Sequence, residues 1–477
     1  MLEGLDNVPW EDLENEEEIY FAFGSCLDIP VYLRQLISSD PQKVASALTE
    51  LFEACLHQGT RSPGTIYVLP FIIELCGETS LEICPAMLSF WRYAITGFFS
   101  IQQRPHWGDG EKIYDCGKVD EYAIKHGAWD YLHDIYRESL KGQKLLYRLL
   151  QDRDPSIRQG AVGVLACMPT IAESSVPKLE ALFNQETSQY VRAGIAFALG
   201  ELGAVETLRK ILAEEGFTAT KCMAACQLAR IAPEASLIEP LLEFVNQPIA
   251  NYDCIIGAGG ESTGDAAFSI SHLPRQVQQQ AIPELCQLLK RTRSFATIPI
   301  VETLLSAAFE KLNNPFQKEQ KVLTKLTDIQ KLVLSQMLLT DELWSMANLM
   351  GTFAAYGLPH EMGNRKEKTA QLVGMELTPD QALKELREGL GLSWAEMGCF
   401  LENARDSIDR ALQLDSTVID RSPAPAEAWL LCARAFAKTD RNRSIEAFRQ
   451  AYLINPAIVS KVTPDWHLAN LLEEFDF

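Results

Sequence analysis

Three stretches of the chain fall into register without a gap: "IRQGAVGVLACMP" at 157–169, "VRAGIAFALGELG" at 191–203 and "TKCMAACQLARIA" at 220–232. The first carries Ile157, Ala161, Leu165 and Met168, the second Val191, Ile195, Leu199 and Leu202, and the third Thr220, Ala224, Leu228 and Ile231. That i, i+4, i+8, i+11 spacing puts each set on one face of an α-helix. Alanine and glycine beside these positions let neighbouring helices approach closely, as stacked repeats require.

A second helix follows each of these. Pro70, Pro177, Pro240 and Pro283 each have apolar residues two and five positions later, and proline suits the first turn of a helix, where no amide bond is lost. The unit is therefore a helical hairpin whose starts, at 157, 191 and 220, are 34 and 29 residues apart. Such units bury their apolar faces on one another and stack into a solenoid. A further stretch, "STGDAAFSISHLP", aligns Ser262 with Ile157 and Ala266 with Ala161, but begins 42 residues after Thr220. The excess is the glycine-rich "GAGGESTGD" at 257–265. It lacks the Lys-Ser/Thr of a phosphate loop and the βαβ setting of a dinucleotide site. It reads as an elongated connector, with Ser262 or Thr263 to cap the next helix and a role as a flexible contact.

The Asp-Pro turn, Arg158 and alanine-rich helix of "QDRDPSIRQGAVGVLA", repeated around Arg192, resemble HEAT repeats. The signature His57-Gln58-Gly59-Thr60, running into Leu69-Pro70-Phe71, resembles a group of bacterial HEAT-repeat proteins. The resemblance covers about residues 20 to 310 and implies an armadillo-type architecture more firmly than an activity. Near the C-terminus, Trp429, Cys432, Ala433 and Phe436, followed by Ser444, Phe448, Ala451 and Pro456, resemble one tetratricopeptide unit. The expected fold is all-α: a right-handed α-solenoid of HEAT-like helical hairpins with a helical C-terminal cap. Its expected segments are an acidic leader at 1–20, the solenoid at 21–312, a helical continuation at 313–375 and a tetratricopeptide-like segment at 376–477.

The 477 residues include 43 Lys and Arg against 64 Asp and Glu, a net charge of −21. That balance opposes nucleic acid and anionic membranes and favours basic or neutral protein partners. The first twenty residues hold eight acids and no base, which reads as a solvated leader. No basic signal segment or 18-residue apolar run occurs, so the expected location is cytoplasmic. The 12 cysteines form no C-x-x-C pair and read as small core residues in a reducing compartment. No metal or cofactor is expected. Of seven histidines, only His360 is followed by a glutamate, which excludes the di-iron hydroxylases built on HEAT repeats. No G-x-S-x-G elbow is present.

The sequence thus predicts a protein-binding scaffold, with a partner on the concave face and His57, Gln58, Arg158 and Arg192 as candidate interaction residues. The acidity and the resemblance together suggest a bacterial inhibitor or immunity-type protein covering a basic toxin or nuclease. The rival reading is an enzyme or enzyme subunit such as a phycobilin lyase-like HEAT protein, for which no catalytic residue can be assigned.

Overall fold

Every regular element among the described residues is helical, as the apolar spacing requires. The computed structural model describes residues 2–15, 25–56, 61–78, 82–96, 130–312, 325–340, 343–344, 346, 348–360, 365–375, 412, 417, 419–420, 425–436 and 440–457. The chain divides into two compact units, Met1–Ala281 and Ile282–Phe477.

The first unit begins with α1 (Trp10–Asn15), α2 (Ile29–Gln35), α3 (Pro41–Leu56), α4 (Thr65–Cys76) and α5 (Cys84–Thr96), then α6 (Asp130–Leu140) and α7 (Gln143–Leu149). The aligned stretches follow as hairpins: α8 (Pro155–Ala166) with α9 (Ala172–Gln185), α10 (Gln189–Glu201) with α11 (Val205–Glu214), and α12 (Thr218–Ile231) with α13 (Ile238–Asn246). The glycine-rich insert leads into α14 (Ser262–Ile270) and the short α15 (Arg275–Gln278). Helices α5, α8, α10, α12 and α14 form a row in which each packs on the next, while α11 packs on α12 and α13 on α14. This arrangement is an all-α solenoid.

Local chemistry sets the helix starts. Asp154 accepts the Ser156 amide at 2.8 Å, and Pro155 follows as the first residue of α8, so an acidic cap and a pre-formed turn coincide. Every aligned core position of α8 is buried, as are Val191, Ile195 and Leu199 in α10 and Thr220, Ala224 and Leu228 in α12. The proline rule holds at Pro240, in the first turn of α13, but not at Pro70 or Pro177, which lie inside α4 and α9. Helix α9 starts five residues earlier, directly after a 3-10 turn at Pro169–Ile171. A proline there removes one backbone bond near the helix end.

The solvated-leader expectation fails for residues 2–15. Leu5 is fully buried, and Leu2, Trp10 and Leu13 nearly so. The Leu2 amide donates to Glu74 Oε1 at 2.8 Å, the Trp10 indole to Leu5 O at 2.9 Å, and Arg34 pairs with Asp6. Glu14 accepts both the amide and the thiol of Cys26. Burial, with the carboxylate of Glu14 beside it, pushes that thiol up to about 12. The acids face outward and the interleaved apolar residues face inward, a pattern that net charge alone hides.

The second unit comprises α16 (Ile282–Arg291), α17 (Ile298–Ala308), α18 (Asp328–Leu338), α19 (Leu349–Ala355), α20 (Arg365–Val373), α21 (Pro425–Phe436) and α22 (Arg441–Ile454) among its described residues. Thr327 and Gln330 form a reciprocal cap at the start of α18. Helices α21 and α22 form a hairpin, with Cys432, Ala433, Phe436, Ser444, Phe448 and Ala451 buried. The Ser444 hydroxyl donates to Ala433 O at 2.6 Å, which accounts for serine in place of an alanine.

Leu5→Ala is expected to destabilise the intact chain by about 2–4 kcal/mol in urea denaturation, the cost of a core truncation. A leader that stayed in solvent would leave the midpoint unchanged.

Candidate functional site

Two features of the first unit bear on function: the arginine junctions between repeats and the glycine-rich insert. Arg158 Nε and Nη2 grip Glu186 at 2.7 and 2.8 Å, while Nη1 donates to the carbonyls of Asp152 and Arg153 at 2.9 and 3.0 Å. Glu186, just past the end of α9, also accepts the amides of Thr187 and Ser188, which lead into α10. The next junction repeats this. Arg192 pairs with Glu215, donates to Phe183 O at 2.6 Å and Glu186 O at 3.0 Å, and lies 4.0 Å over the Phe183 ring. Glu215 accepts the amides of Gly216 and Phe217 before α12. Each arginine thus satisfies carbonyls of the segment that leads into its own helix and holds the acid that opens the next repeat. At the other end of α10 and α12, Arg230 pairs with Glu201 at 2.5 Å.

Burial works against ionisation of Glu186, but the Arg158 hydrogen bonds, the two amides and the Arg158 charge outweigh it. Its carboxyl titrates below the ordinary value near 4.5, and Glu215 behaves alike for the same reasons with Arg192. The series stops at the third repeat. Lys221 stands in the arginine place, and Gln247, just past α13, in the glutamate place. The insert enters directly after that break.

The insert is not a flexible contact. Ile256 lies in a channel over α8 and α10 that exists because Gly163 and Gly194 lack side chains: a Cβ on Gly163 would strike Ile256 Cδ1, and one on Gly194 would come within 3.2 Å of Cγ2. Gly257, at φ +84°, rests against the Phe197 ring. Gln159 donates to Cys254 O at 2.7 Å, and the buried Asp265 accepts the Gly259 amide at 2.9 Å. The capping expectation also changes. Glu261 occupies the cap position of α14, while Ser262 accepts the Ile249 amide at 2.9 Å and so closes the base of the insert. Gly257 serves close approach and Gly260 a positive φ of +127° with open space around it, while buried Tyr252 and Ile255 pin the loop.

Tyr252 reaches into a group of Cys222, Cys226 and Asp265. Burial, then the neighbouring thiol and carboxylate charges, push Tyr252 and Cys222 well above their ordinary values. Both stay protonated near neutrality, the opposite of an activated nucleophile. Ten described cysteines are free thiols, all buried but Cys254. Among the described residues no group of three His, Cys, Asp or Glu could hold a metal ion, and no helix is long and apolar enough to cross a membrane.

Of the candidate interaction residues, Arg158 and Arg192 lie at the repeat junctions, with side chains 14% and 15% exposed. His57 and Gln58 lie outside the described residues. Glu186, Glu215, Tyr252 and Asp265 were not anticipated. The only sequence signal for the first two is an acid placed two or three residues before a repeat helix.

No protein-family model matches the chain, and no curated protein matches it. Among solved structures, an engineered protein is 13% identical with a TM-score of 0.26, covering 88% of this chain and 99% of its own. A mutant of Kap121p is 12% identical with a TM-score of 0.32, over 97% of this chain and 52% of that one. Kap121p bound to Pho4p is 13% identical with a TM-score of 0.32, over 92% and 51%. The chain therefore spans about half the length of Kap121p. Identities and TM-scores this low give these likenesses no bearing on what the chain does.

Glu186→Gln is expected to cost roughly 2–3 kcal/mol at neutral pH, the scale of hydrogen bonds to a charged group. Because the folded carboxyl titrates below its unfolded value, its contribution is full above the ordinary carboxylate range and disappears as pH falls through the depressed value. Urea midpoints across pH 3–7 should fall less steeply on acidification in the variant than in the wild type; parallel curves would contradict the junction's role. Gly257→Ala combines a left-handed backbone with a clash on Phe197 and should cost roughly 2–4 kcal/mol, with limited proteolysis newly cutting at 249–261. An unchanged midpoint and digest would mean a loose loop.

Proposed function

We propose that the chain is a non-enzymatic scaffold that holds a protein partner along the exposed faces of α9, α11 and α13, taken here as the concave side. One observation carries this reading. In three successive repeats the first helix is buried almost all round, whereas the second buries a single stripe: Leu179 and Leu182 in α9, Leu208 and Ile211 in α11, and Leu241, Phe244 and Val245 in α13. The opposite faces expose Glu173, Lys178, Glu206, Arg209, Lys210, Glu214, Glu239 and Glu243. A row of similar outward faces at fixed spacing suits an extended partner.

Acids outnumber bases on that row, most clearly on α13, where Glu239 and Glu243 are exposed with no base beside them; with a net charge of −21 they favour a basic partner, whose approach they would steer. Arg158 and Arg192 would contribute by fixing the spacing of the second helices. Free buried thiols support a reducing, cytoplasmic setting. The finer reading is a bacterial inhibitor or immunity-type protein that covers a basic toxin or nuclease.

Affinity capture from the native host, with wild type and Glu239→Lys/Glu243→Lys at low and high salt, tests this. A protein should be retained by the wild type, fall at least about tenfold with the double variant, and weaken as salt rises. Equal capture by both forms at either salt would overturn it.

A further inference from the structure

Among the described residues, one buried guanidinium of the first unit pairs with no carboxylate. Arg92, on α5, is 7% exposed. Its Nε and Nη1 are sealed from solvent and meet no hydrogen-bond partner. Its planar group is held instead by the Tyr93 ring, with the guanidinium carbon 4.6 Å from the ring centre. Arg92 Cδ would lie 3.3 Å from a Cβ on Gly163, close to the place that Ile256 Cδ1 fills. The side chain therefore runs along the junction of α5, α8 and the glycine-rich insert. Nη2, which has no partner either, is the one guanidinium nitrogen not sealed away.

Three partly buried arginines at the repeat junctions set the contrast. Arg158, Arg192 and Arg230 each hold a carboxylate. Arginine cannot escape burial by losing its proton, so an unmatched guanidinium is a standing cost to the fold. Such a cost is retained where a site needs it. A second buried guanidinium, Arg61, donates through Nη1 to Ile95 O at 2.9 Å, one turn further along α5.

We propose that Arg92 is the receptor for an oxyanion, a carboxylate or a phosphate, which enters at Nη2 and accepts hydrogen bonds from that nitrogen. The guanidinium charge and the N–H groups of Nη2 supply charge-assisted hydrogen bonds to an oxygen of the anion. The site belongs to the first-helix row and is separate from the proposed partner face on α9, α11 and α13, so either reading can fail alone.

Thermal unfolding of the full chain, wild type against Arg92→Met, tests the proposal in chloride, inorganic phosphate and acetate at matched ionic strength. In chloride the methionine variant should melt at or above the wild type, because an uncompensated charge has been removed. Phosphate or acetate should raise the wild-type Tm saturably by about 2 °C or more and leave the variant unmoved. A stronger response to phosphate assigns a phosphorylated ligand, and one to acetate a carboxylate. A variant that melts below the wild type in chloride would make Arg92 a structural residue and overturn the proposal. So would a wild type that responds to neither anion, or equal shifts in both proteins, which would mean an adventitious ion only.

Discussion

The first unit depends on how closely its first helices approach. Side chains at Gly160, Gly163 and Gly200 would collide with Leu88, Ile256 and Gln227, and one at Gly194 would crowd Ile256. Helices held this near are buried on almost every side, and interiors at that density tolerate little change in volume. The close approach leaves little of the first helices exposed. It also leaves a shallow channel over α8 and α10, which the insert fills, and pushes the available surface onto the second helices.

Close approach alone does not fix the angle or spacing between hairpins. That falls to the arginine junctions, where one guanidinium ties the end of one helix to the start of another through carbonyls, an acid and two amides. The break at Lys221 and Gln247 coincides with the insert. Ile256, Gly257 and Tyr252 bring apolar contact to the stack where the charged junction ends. Polar and apolar devices thus alternate along one solenoid, and Arg92, beside the insert, is the buried charge that neither device neutralises.

The hairpins were legible because helical periodicity survives in single positions: Ile157, Val191 and Thr220 are all buried as their spacing requires. The alignment even located the insert and the inward face of α14. Its conformation was not legible, because glycine at 257 suits a flexible loop and a tight contact equally, and only the position of Phe197 decides between them. Arg158 and Arg192 stood out as repeated residues, yet half of what they hold is backbone carbonyl, which leaves no mark in a sequence. The leader misled because its charge was counted before its pattern: Leu2, Leu5, Trp10 and Leu13 lie among the acids at spacings that bury them. Prolines at 70 and 177 marked the second helices correctly but not their first residues, since a helix can start on the turn before its proline.

The central claim is a division of labour: a sealed first-helix row with the insert locked across it, and an open row of second helices that receives a partner. Hydrogen–deuterium exchange of the full chain, free and with a captured partner, tests it most directly. The account predicts slow exchange at 252–259 in the free chain, unchanged by the partner, and new protection confined to α9, α11 and α13. Fast exchange at 252–259 in the free chain, with partner-induced protection there and none on the second helices, would contradict it.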